Sequence, residues 1–126
     1  MGSRDTGTLG DAAEQRALQF LVREGLKPVT RNFRRRGGEI DLIMMHGNCL
    51  TFIEVRYRTS VRYSSPALSV DHRKQQKLIR TAAMFIAREH RYANSPVRFD
   101  VVAITGGTKN AIEWIQDAFR PIDSTL

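Results

Sequence analysis

Residues Glu39 to Arg58 read EIDLIMMHGNCLTFIEVRYR, and this stretch decides the fold. Two runs within it, Glu39 to Met45 and Cys49 to Arg58, are rich in large apolar, β-branched and aromatic residues, which is the composition of strands. Between them stands His46-Gly47-Asn48, and Gly followed by Asn suits the two central positions of a type II′ hairpin turn. With that turn, His46 pairs with Cys49, Asp41 falls opposite Glu54, and Glu39 falls opposite Arg56. Side chains two apart on a strand share a face. Glu39, Asp41, Glu54 and Arg56 are therefore expected on one side of the sheet. Ile40, Leu42, Met44, Ile53 and Val55 are expected on the other as a core-forming set. A slip of one residue would send one strand's set to the opposite face, so the register carries the argument.

Two carboxylates facing each other across an antiparallel pair repel. When such a pair is half-buried, either one acid keeps its proton or a cation sits between them. Mg²⁺ and Mn²⁺ are hard ions that take carboxylate oxygens and retain waters, and an ion of this kind activates water against a phosphodiester. The competing reading is a solvated sheet face whose acids are balanced by Arg56, Arg58 and nearby bases. Arg56 either steadies a developing anionic charge or pairs with Glu39. It stays protonated in proteins, so it is no proton acceptor.

Working outward, Leu9, Ala13, Ala17, Phe20 and Leu21 fall at helical spacing between about Thr8 and Glu24, and Gly25 supplies a stop. Pro28 to Phe33 reads as a short extended piece at a sheet edge, because proline cannot donate to a central ladder. Arg34-Arg35-Arg36 and Gly37-Gly38 follow. Beyond the hairpin come a loop with Ser64-Ser65-Pro66 and a helix from about Val70 to Tyr92, with an apolar stripe of Leu78, Ile79, Ala82, Ala83 and Ile86. Val97 to Thr105 reads as a mostly buried strand, and Ala111 to Ile115 as one more short strand before a polar tail. A helix between two strands signals a crossover. The expected architecture is thus α/β (α+β with a mixed sheet), in three layers with helices on both faces.

At 126 residues the chain is about one domain long, taken as 1–126 with 1–7 as a flexible lead. Twenty Lys and Arg stand against 13 Asp and Glu, a net charge of +7 that favours an anionic partner such as nucleic acid. Cys49 is the only cysteine, which excludes a disulfide framework or cysteine-rich zinc site and fits a reducing cytoplasm. No apolar run reaches the roughly 18 residues of a membrane span, and no signal-peptide core is expected at the N-terminus.

Gly38-Glu39-Ile40-Asp41-Leu42-Ile43, followed by Phe52-Ile53-Glu54-Val55-Arg56, resembles the PD-(D/E)XK nuclease core. Most of the chain, roughly Leu9 to Phe119, is similar to the YraN family of predicted bacterial endonucleases, which distantly resemble archaeal Holliday-junction resolvases. Ala13-Glu14, Lys74-Gln75 with Lys77, Arg98-Phe99-Asp100-Val101-Val102 and Glu113-Trp114-Ile115 carry the likeness further. The resemblance implies an αβββαβ, restriction-endonuclease-like core, with Asp41 and Glu54 as ligands of Mg²⁺ or Mn²⁺. It puts Arg56 at the position of the motif's lysine, so that Lys74 or Lys77 would supply the ammonium instead. By the same likeness a first-helix glutamate, Glu14, reaches the metal, assisted by Glu39, and Gln75 holds substrate or water. Bland readings stand beside these: Glu14 paired with Arg23 or Lys27, and Gln75 as a plain helix amide.

Arg34, Arg35, Arg36 and Arg58, with Arg73, Lys74 and Lys77 on the second helix, bracket the acidic face in sequence. They are the expected phosphate contacts, which position a backbone without reading its sequence. His46, His72 and His90 read as a turn residue and two helix-surface residues. The expectation is a metal-dependent endonuclease for branched or otherwise structured DNA, homodimeric if the resolvase analogy extends that far. The alternatives are a catalytically silent nucleic-acid-binding module on the same scaffold and a protein whose strand edge docks another chain.

Overall fold

The computed structural model describes residues 3–58, 70–106 and 111–121, with side chains from residue 10 onward. Its elements are α1 (Ser3–Arg23), β1 (Lys27–Arg35), β2 (Gly38–His46), β3 (Cys49–Arg58), α2 (His72–Arg88), a 3₁₀ turn (His90–Tyr92), β4 (Val97–Thr105) and β5 (Ala111–Phe119). The strands form one sheet in the order β1-β2-β3-β4-β5. β3 and β4 run parallel and the other neighbours antiparallel, so the segment that contains α2 is the crossover. The expected mixed sheet with a helix on each face is what the structure has.

The helix termini follow from local chemistry. After α1, Gly25 takes φ +101°, its N–H reaches the Val22 carbonyl at 3.0 Å, and the Leu26 N–H reaches Leu21 at 3.0 Å. This is a Schellman closure, with Leu21 and Leu26 buried together beneath it. α1 begins earlier than the expected Thr8, and Leu9 of its stripe lies outside the described side chains. At α2, Asp71 caps the helix by accepting from the Lys74 N–H at 2.9 Å. The helix stops at Arg88 rather than Tyr92, because Glu89 leaves the helical region (φ −107°, ψ 82°) and the chain tightens into the 3₁₀ turn. His90 lies in that turn rather than on the helix surface.

Two cores result. Ala13, Ala17 and Leu21 of α1 pack with Leu42, Met44, Ile53, Val102 and Ile104 on one face. On the other, Leu78, Ile79, Ala82 and Phe85 of α2 pack with Ile40, Ile43, Phe52, Val101 and Ala103. An aromatic chain runs through this second core: Phe52 stacks on Phe99 at 5.5 Å, and Phe99 on Phe119 at 5.0 Å.

The hairpin has the expected register, with His46 opposite Cys49 and Leu42 opposite Ile53. Its Gly47 adopts φ +62° while Asn48 keeps negative φ, as a type II′ turn requires. One expectation fails. Ile40 was placed with Leu42 on one face, yet Ile40 packs under α2 and Leu42 under α1. The alternation switches at Asp41. Opposite this point on β1, between the Arg31↔Leu42 and Phe33↔Ile40 pairs, Asn32 sits at φ +54°. Asn tolerates that left-handed conformation, and it turns both strands together.

β5 is also longer than the expected Ala111 to Ile115. Its ladder breaks between Phe99 and Val101, and Asp117 (φ +55°) gives its N–H to the Asp100 carboxylate at 2.9 Å. Bridged this way, the strand resumes as far as Phe119. The Ser64-Ser65-Pro66 loop lies outside the described residues.

Candidate metal and nucleic-acid site

At the β2 face switch the Asp41 side chain turns toward β3. Its Oδ2 accepts the Val55 backbone N–H at 2.8 Å, one step past the last ladder pair, Leu42 and Ile53. A carboxylate thus occupies the place where a strand would offer a carbonyl. Burial pushes the Asp41 carboxyl up to about 8, helped by the charge of Glu54 and, less strongly, of Glu14 and Glu39. The Val55 N–H works against this rise by stabilising the anion. Asp41 and Glu54 thus lie near each other. The ladder ends at Leu42 and Ile53, however, so the expected direct pairs of Asp41 with Glu54 and of Glu39 with Arg56 are not part of it; Glu39 pairs with Arg34 instead.

Each of the other acids has its own cationic partner, and two of them share one amide donor. Glu54, buried on β3, lies 3.1 Å from the Nζ of Lys74 in the first turn of α2. Glu39 accepts from Arg34 Nε at 2.9 Å across the β1–β2 ladder, and from Asn32 Nδ2 at 3.3 Å. The same Asn32 amide donates to Glu14 Oε1 at 3.0 Å, and Arg31 approaches that oxygen at 3.7 Å. Glu14 is thus tied to Asn32 and Arg31 of β1 rather than to Arg23 or Lys27. Asn32 links the first-helix acid to the hairpin acids. It was not singled out from sequence, although an Asn just before a strand's basic end is a known tolerator of positive φ.

A hollow of about 350 Å³ opens beside these groups, lined by Gly37, Gly38, Glu39, Asp41, Lys74, Lys77 and Leu78. The β1–β2 turn and the start of α2 form its walls. Gly38 is required there, because a methyl group on its Cα would collide with the Thr81 hydroxyl of α2. Lys74 and Lys77 thus line the hollow from α2, and Arg34 contacts its lining residue Glu39. Arg35, Arg36, Arg58 and Arg73 lie exposed and are not among the lining residues. Arg56, half-buried on β3, pairs in register with Ala103. The Asp71 carboxyl is lowered chiefly by the Lys74 N–H, from which it accepts, and least by the charge of Arg56. Gln75 donates its amide to the Val70 carbonyl at 2.7 Å, which pins the chain entering α2.

Among the described residues no three His, Cys, Asp or Glu side chains form a ready metal-coordinating group. Two carboxylates, Asp41 and Glu54, do stand close enough for one to raise the other's pKa. That donor set fits a hard cation that keeps several waters.

A separate polar cluster lies at the hairpin end. The Asp100 side chain, fully buried, accepts from Arg98 Nε and Nη2 at 2.8 Å each and from Trp114 Nε1 at 3.0 Å. Arg98 also donates to His46 Nδ1 at 2.9 Å, and the His46 ring lies 5.6 Å from Trp114. His46 is therefore part of this network and more than a turn residue.

Among the described residues, no helix is long and apolar enough to cross a membrane. The model of Uncharacterised protein family UPF0102 matches residues 13–104. The UPF0102 protein YraN of Escherichia coli O8 (strain IAI1) is 49% identical over 116 residues, covering 91% of this chain and 86% of that protein. A UPF0102 protein of Saccharophagus degradans is 50% identical over 110 residues (87% and 91%), and one of Pseudomonas putida (strain W619) is 43% identical over 113 residues (88% and 92%). The matched span holds both hairpin strands, α2 and nearly all of β4, and by it this chain belongs to the YraN family, UPF0102.

Proposed function

We propose that this protein is a divalent-metal-dependent endonuclease that hydrolyses phosphodiester bonds in branched or otherwise structured DNA. One observation carries the reading: Asp41, with Glu39, Lys74 and Lys77, lines a single open hollow, and Glu54 stands behind it in contact with Lys74. Anionic ligands for a cation and ammonium groups for a phosphate thus share one place. Asp41 and Glu54 are the residues to hold Mg²⁺ or Mn²⁺, which when bound supplies an activated water and charge neutralisation at the phosphate.

The chain's own residues divide the remaining work. The Val55 N–H fixes the Asp41 carboxylate, and Asn32 holds Glu39 and Glu14 in a common orientation. With Glu54 holding a metal, Lys74, whose Nζ lies 3.1 Å from that carboxylate, would be available to a substrate oxygen. Lys77 and Arg34 draw the flanking backbone.

The test is incubation with Mn²⁺ or Mg²⁺ and labelled junction, flap, single-stranded and duplex DNA. Cutting of structured substrates is expected, with at least about a 100-fold loss in Asp41→Asn and Glu54→Gln and with DNA binding retained. Absence of cutting on every substrate would sink the enzymatic reading. The Lys74–Glu54 pair also favours a second reading, a silent DNA-binding module in which an ammonium has taken the cation's place. Calorimetry separates the two: the module binds DNA but shows no Mn²⁺ heat that depends on Asp41.

A further inference from the structure

We propose that a second hollow, at the far end of α2, receives one unpaired nucleotide of the bound strand and so selects DNA with exposed bases over intact duplex. This rests on the DNA-binding reading above and names the feature of the substrate that is recognised. The hollow, about 210 Å³, lies between β1 and the end of α2. Val29, Thr30 and the largely buried Phe33 and Phe85 line it together with Arg88, Glu89 and Arg91. Phe33 and Phe85 meet edge to face at 5.2 Å, and Phe85 stacks on Tyr92 at 5.9 Å, so the lining is held by aromatic contacts from three elements.

Guanidinium planes already lie on aromatic rings here: Arg35 over the lining Phe33 at 4.5 Å, and the lining Arg91 over the neighbouring Tyr92 at 4.9 Å. Arg88 and Arg91 are exposed, and Arg88 lies 3.8 Å from Glu89. Apolar lining residues, two planar cations and one carboxylate acceptor match the parts of a nucleotide. The base has a flat apolar face, the phosphate is anionic, and the base edge carries N–H groups that Glu89 can accept. The volume is below that of pockets built for larger ligands, which leaves room for one small ring system and no more. Bases stacked inside a duplex cannot enter it, which is the origin of the selectivity.

Position joins this hollow to the candidate active site. α2 carries Lys74 and Lys77 at one end and Arg88 at the other, an axial rise of about 21 Å. Phe33, in the lining here, precedes the Arg34, Arg35 and Arg36 run that leads to the first hollow. A strand following α2 and the β1 edge would meet both, separated by roughly six nucleotides at duplex rise and fewer when extended.

The test measures affinity by fluorescence anisotropy in chelator, with a labelled single-stranded oligonucleotide, a flap duplex and a blunt duplex of equal length. Arg88→Ala/Arg91→Ala is expected to weaken binding of the single strand and the flap by about 10-fold, and of the blunt duplex by less than about 2-fold. Arg88→Lys/Arg91→Lys keeps the charge and loses the planes, so it should reproduce the selective loss. Equal losses on all three substrates would mean ordinary phosphate contacts and would overturn the proposal, as would no loss on any. Because no metal is present, a protein that never cuts DNA can still pass this test. Failure of catalysis and failure of the nucleotide pocket are thereby told apart.

Discussion

At the scale of single residues, Asp41 concentrates the conflict in this protein. Burial, helped by the charge of Glu54, pushes its carboxyl from the ordinary value of 3.8 up to about 8 in the folded chain. Between those values the folded protein holds a proton that the unfolded chain has released, so metal-free stability falls as pH rises across that window. Asp41→Asn keeps an oxygen for the Val55 N–H and removes the charge. The melting midpoint of the variant in chelator should exceed that of the parent by a few degrees at pH 8, and the two should converge near pH 4. Thermal scans across that range check this, and an unchanged difference at both ends would count against it. Mn²⁺ should stabilise the parent and leave Asp41→Asn unmoved. That Asp41 and Glu54 lie together was legible from the hairpin alone, because a two-residue turn fixes the register. The switch of face was not. It depends on Asn32 adopting positive φ on a neighbouring strand, and periodicity within β2 carries no trace of that.

At the scale of elements, the hollow exists because α2 can approach the β1–β2 turn. A side chain at position 38 would meet the Thr81 hydroxyl and crowd the Lys77 carbonyl, so α2 would have to shift. Gly38→Ala is expected to cost about 2 kcal/mol by denaturant titration and to weaken DNA binding, through displacement of Lys74 and Lys77. β4 was legible to the residue as an apolar run, and both helices were legible in their stripes. The ends of α2 and β5 were less so. Glu89 and Asp117 set them through backbone conformations that composition does not encode. In the same way Asp100, quoted for its likeness to relatives, proved to be the buried acceptor that lets β5 bridge its break.

Across the whole molecule, the excess of 20 basic over 13 acidic residues is arranged unevenly. Lys74 and Lys77, with Arg34, surround the first hollow, and Arg88 and Arg91 the second. Removing one such contact should flatten the dependence of binding on salt. Lys77→Ala is expected to reduce the slope of log affinity against log salt by about 1, measured from roughly 50 to 200 mM salt in chelator. An unaltered slope would place Lys77 away from the bound backbone. The three-layer plan was legible because a helix between two strands leaves few topologies open. The arrangement of charge in space was not, since it arises from which ends of α2 face β1.

The oxygen of Asp41 that closes the gap between β2 and β3 has a corollary. Replacing its partner atom by nitrogen removes the charge while the strand junction stays sealed, so Asp41→Asn lies one codon away and should be sturdier than the parent in the absence of metal. A chain that retains the acid keeps a weaker metal-free native state, and under the proposed function the metal is what restores the difference.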